Sequence, residues 1–279
     1  MPIWKFLFSR PDVVVAVAIL TTIVLAGLVA PMAYPDGPWR MVTRSFIAPF
    51  TDRHHPLGTD ALGRDLAASL MYGARTSLGI GLVSTCVAIL VGAGIGGTAG
   101  FFGGRVDSLL MRSTEIFQTV PSFALAILLI AIYSPSTFSI MIAISVVSWP
   151  PVARLARAEF LSMRRREFVQ AALLSGQSSF RVAWSEILPN IMSSLTAMAT
   201  LMVSMAILFE SALSFIGLGD PKVVSWGYLI AAGRGVMAQS WWLTFLPGFA
   251  IMITIVSISA IGDAIGDSQD PHFERREDA

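Results

Sequence analysis

The chain has 279 residues, of which 54% are hydrophobic and only 13% charged, and its formal net charge is +1. Soluble globular chains carry about a quarter charged residues, and so balanced a charge offers no field for nucleic acid. A single cysteine, Cys86, excludes an intramolecular disulfide, and its apolar setting reads as a small hydrophobe.

The apolar residues fall in long blocks. Lys5 and Arg10 precede a run from Val13 to Ala30, followed by "APMAY". The pattern resembles a signal peptide, but the run exceeds the roughly 7–15 residues of such a segment, so it reads as an uncleaved first membrane helix. Six candidate spans follow from hydropathy: 12–33, 77–101, 108–132, 138–157, 190–214 and 241–265. Each approaches the ~20 apolar residues needed to cross ~30 Å of hydrocarbon. The expected organisation is a first helix with an outer loop (1–76), a five-helix core (77–265) interrupted by a polar loop (158–189), and a charged tail (266–279). With both termini in the cytoplasm, twelve Lys and Arg residues lie inside and seven outside, five of the seven in the long first loop. That asymmetry favours cytoplasmic termini.

The outer loop contains "GTDALGRD", where Gly58, Asp60, Gly63, Arg64 and Asp65 suit a fixed, hydrogen-bonded cap. The second span contains Gly92, Gly96, Gly100 and Gly104, each four apart. That spacing places them on one helical face and predicts close helix packing, or a sliding surface. Pro121 predicts a kink in the third span, and Arg112 and Glu115 share a face there. The fourth span ends in "SWPPVARLAR", with Trp149 and the arginines suited to an interface. The fifth begins at Pro189 and carries Glu210 twenty residues after Asn190, about 30 Å along a helix. An acid there faces protein or a water-filled cavity, which marks Glu210 for the translocation path or its gate, or for a packing hydrogen bond.

The missing motifs matter as much. No G-x-x-x-x-G-K-[ST] loop is present, and neither Lys5 nor Lys222 follows a glycine, so the chain lacks the usual ATPase site. His54, His55 and His272 are the only histidines, and the adjacent pair reads as an exposed loop feature, so no metal site is expected. No catalytic constellation is visible.

The polar stretch between the fourth and fifth spans is the most unusual segment. "FVQAALLSG" (168–176) reads as a short amphipathic helix stopped by Gly176, and "QSSFRVAWSEIL" as a second, ended by Pro189. Two short helices form a compact knob on a membrane helix, able to pass a push to it. The "RRRE" cluster at Arg164, Arg165 and Arg166 precedes it, suited to a protein partner or anionic lipid.

This stretch resembles the EAA loop of permease subunits of ATP-binding-cassette importers. Gln170-Ala171-Ala172, three residues, Gly176, and then Leu188-Pro189 follow that pattern, with Gln170 replacing the usual Glu. "HPLGTDALGRDLAASLMYGARTSLGIG", "MRSTEIFQTVPSFALAI", "ILPN", "FESALSFIGLG" and "GDAIGDSQDP" resemble the C-type permeases of the dipeptide, oligopeptide and nickel family in the same order. Glu115 stands where that family often has Asp. The resemblance implies an all-α integral membrane protein with six transmembrane helices and the type I importer fold. It implies a second permease sharing one path, two cytoplasmic ATPase subunits that bind ATP and Mg, and an extracytoplasmic solute-binding protein in a bacterial inner membrane. On that basis Gln170, Ala171, Ala172 and Gly176 form the ATPase-coupling element, tied to the fifth span by Leu188 and Pro189. Family breadth favours peptides as substrates, with nickel chelates, glutathione or another small solute as alternatives. An ATP-independent channel or secondary transporter is the different-class alternative, although the paired broken helices of secondary transporters are not seen.

Overall fold

The computed structural model describes residues 10–267, and Lys5, His272, Arg275 and Arg276 lie outside them. Besides a short 3-10 turn at Arg234–Val236, the described residues form nine helices: α1 (Pro11–Ala33), α2 (Leu66–Phe102), α3 (Gly104–Thr119), α4 (Ser122–Tyr133), α5 (Thr137–Met163), α6 (Glu167–Leu174), α7 (Ser179–Leu218), α8 (Trp226–Gly233) and α9 (Trp242–Asp267). Only isolated bridges, in the outer loop, represent β-structure among the described residues. Five helices are long and apolar enough to span a membrane alone, and α3 with α4 supplies a sixth, broken span.

α1 starts with Pro11 in its first turn, where the missing N–H costs nothing. It packs on α2 and α9 at the edge of the bundle. Arg10 Nη1 lies 2.7 Å from Asp267 Oδ2. This pair joins the start of α1 to the end of α9 and puts both described ends on one side of the membrane.

Several boundaries depart from the hydropathy reading. α2 begins at residue 66, not 77, so the expected boundary at 76 falls inside a continuous helix. The reason is capping: Asp65 Oδ1 accepts the N–H groups of Ala67 and Ala68 at 2.7 and 3.3 Å. At 37 residues α2 is about 55 Å long and extends well beyond the hydrocarbon. The expected single kinked span at 108–132 is two helices bent by 84°. Pro121 disfavours the helical conformation at Val120, which is extended, and offers no N–H of its own. Arg112 and Glu115 form no ion pair; instead Arg157 Nη2 reaches Asp107 Oδ2 at 2.6 Å and ties α3 to α5. α5 continues past residue 157 to Met163, and its start is fixed by the reciprocal capping of Ser136 and Ser139. The loop expected at 215–240 holds α8.

The centre of the bundle is the packing of α2 on α5. A Cβ on Gly92 would stand 2.7 Å from the Trp149 carbonyl oxygen, and one on Gly100 2.6 Å from that of Arg157. Gly96 lies equally hard against the Ala153 backbone. Gly104 does not share this face. Gly103 turns the chain with φ +67°, and Gly104 starts α3 with φ +56° and open space beside it. The four-residue spacing continues in sequence, but the helix that would give it meaning ends at Phe102.

Candidate functional site

The polar segment after α5 forms a knob with two unlike faces. Arg164, Arg165 and Arg166 turn the chain tightly out of α5 through N–H bonds to the carbonyls of Phe160, Ser162 and Met163. The Arg164 guanidinium lies over the Phe101 ring at 5.8 Å, whereas Arg165 and Arg166 line an open depression with Leu161 and Ser162. α6 follows for two turns. Val169 is fully buried among Phe101, Val152, Phe160, Val182, Ile187 and Ile191, and Ala172 and Leu173 pack on the same cluster. The knob is thereby fixed to α2, α5 and α7 at once. Gln170 and Ala171 face outward, and Gln170 Nε2 donates to the Arg164 carbonyl at 2.8 Å. Its neutral side chain thus braces the turn rather than forming a salt bridge.

α6 stops by a Schellman arrangement. The Gly176 N–H donates to the Leu173 carbonyl at 3.1 Å and the Gln177 N–H to that of Ala172 at 3.2 Å. Gly176 sits at φ +83°, and a Cβ there would meet nothing within 4 Å. Its requirement is therefore backbone conformation, not space.

The second short helix expected up to Pro189 does not end there. Ser179–Leu218 is one helical run of 40 residues. Wider π-type turns at Val182–Ile187 let the Leu188 N–H reach back to Ala183. That extra residue absorbs the missing N–H and the bulk of the Pro189 ring without breaking the helix. Leu188 packs on the same core cluster as Val169, and Pro189 is exposed. The knob is thus a rigid extension of a membrane helix.

Its outer face carries residues that the sequence reading passed over. Phe180 and Trp184 are 77% and 66% exposed and stacked with centroids 6.3 Å apart. Leu174 at 87% and Phe168 at 44% lie nearby in sequence. These exposed apolar side chains stand on the same knob as the buried Val169. The signal was the i, i+4 spacing of Phe180 and Trp184.

At the other end of the bundle, the outer loop folds back on the start of α2. Gly58 (φ +81°) and Gly63 (φ +74°) pass so close to the Ile47 and Thr43 carbonyls that no Cβ fits. Asp60 Oδ1 accepts from the Leu62 and Arg64 N–H groups at 2.8 and 2.9 Å. The Arg64 guanidinium covers the Trp39 ring at 4.7 Å. Asp65, besides capping α2, meets His55 Nδ1 through Oδ2 at 2.7 Å. No cluster of three His, Cys, Asp or Glu side chains suited to a metal occurs among the described residues.

Glu210, expected at the path or its gate, is enclosed within the subunit at 1% exposure. Its Oε1 accepts from Ser214 and Ser225, both at 2.7 Å, and Oε2 from Ser77 at 3.4 Å. Ser225 in turn caps α8, and the Trp226 N–H donates to Ser77. Glu210 therefore fastens α8 to α2 and α7.

A six-span bundle with an exposed, rigid knob on one side has a match among known families. The family described as binding-protein-dependent transport system inner membrane component matches residues 88–275. The chain belongs to this family. It is 35% identical over 269 residues to the oligopeptide transport system permease protein OppC of Haemophilus influenzae, covering 95% of this chain and 86% of that protein. It is 35% identical over 277 residues to the di/tripeptide transport system permease protein DppC of Pseudomonas aeruginosa, covering 97% and 91%. A chain of the MetNI methionine ABC transporter in an inward-facing conformation shares the fold, with a TM-score of 0.60 and 15% identity over 72% of this chain and 95% of that one. This inner-membrane component is thus a multi-pass permease subunit of a binding-protein-dependent transporter. Within the family match lie α6, the Gly176 turn and all of α7.

Proposed function

We propose that this chain is one permease of an ATP-driven importer of di- or oligopeptides. A second, similar permease completes the translocation path. Two cytoplasmic subunits bind ATP and Mg, and an extracytoplasmic binding protein delivers the substrate. The knob, with Gln170, Ala171, Ala172 and Gly176 at its centre, docks on one ATPase subunit, and both termini are cytoplasmic. Arg164 braces the knob from within, and Arg165 and Arg166 contact the ATPase or the lipid headgroups beside it. The outer cap around Gly58, Asp60, Gly63, Arg64 and Asp65 meets the delivering protein or the sister permease. Peptides are the favoured cargo because the OppC and DppC relatives carry that substrate in their names.

One observation carries this reading. The knob is locked to the bundle through Val169 and continues without interruption into α7, while its far face offers Phe180, Trp184 and Leu174 to a partner. A push on that face moves a membrane helix directly. The test is co-purification from the native membrane in mild detergent, with identification of bound chains by mass spectrometry, for the wild type and for Phe180→Ala with Trp184→Ala. The wild type is expected to recover a second permease and an ATPase, and the double variant to keep the permease and lose most of the ATPase. Recovery of the wild-type chain alone would refute the importer reading. Undiminished ATPase recovery with the double variant would refute the docking face.

A further inference from the structure

α3 and α4 part at Val120–Pro121 directly opposite the two prolines of α5, and the cleft between them is walled by Gln118, Ser122, Val146, Val147, Pro150 and Pro151. Pro150 lies thirteen residues from either end of α5. At 1.5 Å per residue the cleft is about 20 Å from each end of that helix. Phe117 packs edge-on against Trp149 with centroids 5.2 Å apart and holds the α3 side of the opening.

The backbone chemistry of this cleft is unusual for a helical bundle. Prolines have no N–H, so Pro150 and Pro151 leave the carbonyls of Val146 and Val147 without the donor that an α-helix supplies four residues on. Across the cleft, α4 begins with no side-chain cap on its first-turn N–H groups. The exposed Gln118 adds an amide that both donates and accepts. Between these polar groups the walls are apolar, with Val120 and Leu125. Unpaired backbone groups at hydrocarbon depth persist only when covered by protein or facing a cavity that satisfies them. Carbonyls that lack their i+4 donor on one wall and uncapped N–H groups on the other fit one chemical class well. An extended peptide main chain presents N–H and C=O groups whatever its side chains are.

We propose that this cleft is a subsite for the peptide backbone on the translocation path, reading main-chain amides and ignoring side chains. The proposal rests on the peptide-importer reading above and deepens it. The Val146 and Val147 carbonyls accept from substrate N–H groups, while Gln118 and the start of α4 hold substrate carbonyls. Recognition of this kind admits many sequences through one path.

The test uses the complete transporter in proteoliposomes with trialanine and its ester analogue, in which oxygen replaces one backbone N–H. Both are supplied at saturating occupancy of the binding protein, so that remaining discrimination belongs to the membrane part. The wild type is expected to import the ester about fivefold more slowly, the equivalent of one hydrogen bond of about 1 kcal/mol. Pro150→Ala with Pro151→Ala returns N–H donors to Val146 and Val147 and should cut that difference below about twofold. In a Cys86→Ala background, Val146→Cys should react with a small thiol reagent, and trialanine should slow the reaction during transport. Equal import of the two substrates by the wild type would overturn the subsite, whatever the proline variant does. An assembly that imports neither substrate while importing another solute would instead overturn the peptide reading, and the subsite with it.

Discussion

A single methyl group at Gly92 tests the packing of α2 on α5. A Cβ there would stand 2.7 Å from the Trp149 carbonyl oxygen and 2.5 Å from Val152 Cβ, with ordinary contact starting near 3.4 Å. Neither atom sits at the end of a flexible side chain, so α2 and α5 must part by 0.7–0.9 Å. A gap of that size forfeits about a quarter to a half of the dispersion energy along the seam, and overpacking of this kind costs about 1–3 kcal/mol. Replacing Gly by Ala within a helix returns up to about 1 kcal/mol of propensity. Gly94→Ala is the internal control, because it gains the same propensity on the same helix and meets nothing within 4 Å. Gly92→Ala should therefore be less stable than Gly94→Ala by about 2 kcal/mol, which for a chain of this size corresponds to about 4–8 °C. The assay is the thermal midpoint of the detergent-solubilised chain, followed by tryptophan fluorescence. Equal midpoints for the two variants would refute the claim that the glycine face sets this interface.

Three further outcomes follow from particular groups. Gly176 has open space but a left-handed backbone that costs other residues about 1–2 kcal/mol and asparagine less; Gly176→Asn should keep near-normal uptake and Gly176→Val should assemble yet transport weakly, as measured in proteoliposomes. Glu210→Ala leaves the hydroxyls of Ser77, Ser214 and Ser225 without their shared acceptor and should cost about 3 kcal/mol; Glu210→Gln, which retains a carbonyl oxygen, should melt within a few degrees of the wild type. Burial pushes the Asp220 carboxyl up, but the Lys222 N–H and the Thr137 hydroxyl and N–H outweigh it and hold it below the usual carboxylate range. Its contribution is present above the ordinary value of about 3.9 and is lost as pH falls through the lowered folded value, so the wild-type midpoint should fall more steeply below pH 4 than that of Asp220→Asn.

Hydropathy reads only what the hydrocarbon demands, and that explains where the sequence reading succeeded and where it stopped. The apolar runs placed the five helices long and apolar enough to span a membrane, and the region of the broken pair α3 and α4. The parts of α2 before Ser77, of α5 after Arg157 and of α7 before Pro189 are helical for another reason. They are held by Asp65, by the Arg157–Asp107 pair and by a π-type turn, and none of these raises an apolar signal. The glycine series failed at Gly104 because spacing has meaning only while the helix lasts, and Gly103 ends it. Glu210 was legible as a costly acid in lipid, but its partners Ser77 and Ser225 lie 133 and 15 residues away in sequence, so a packing role could not be separated from a place on the path. Pro121 and the Pro150–Pro151 pair were each visible as local disruptions. That they face one another is a tertiary fact, and it is the facing that turns two helix defects into a polar cleft. In a chain so rich in apolar residues, local chemistry resides where regular helix is interrupted: at Gly176 and at the opposed prolines. The interruptions that no side chain repairs are the places where a partner or a substrate can complete the hydrogen bonding.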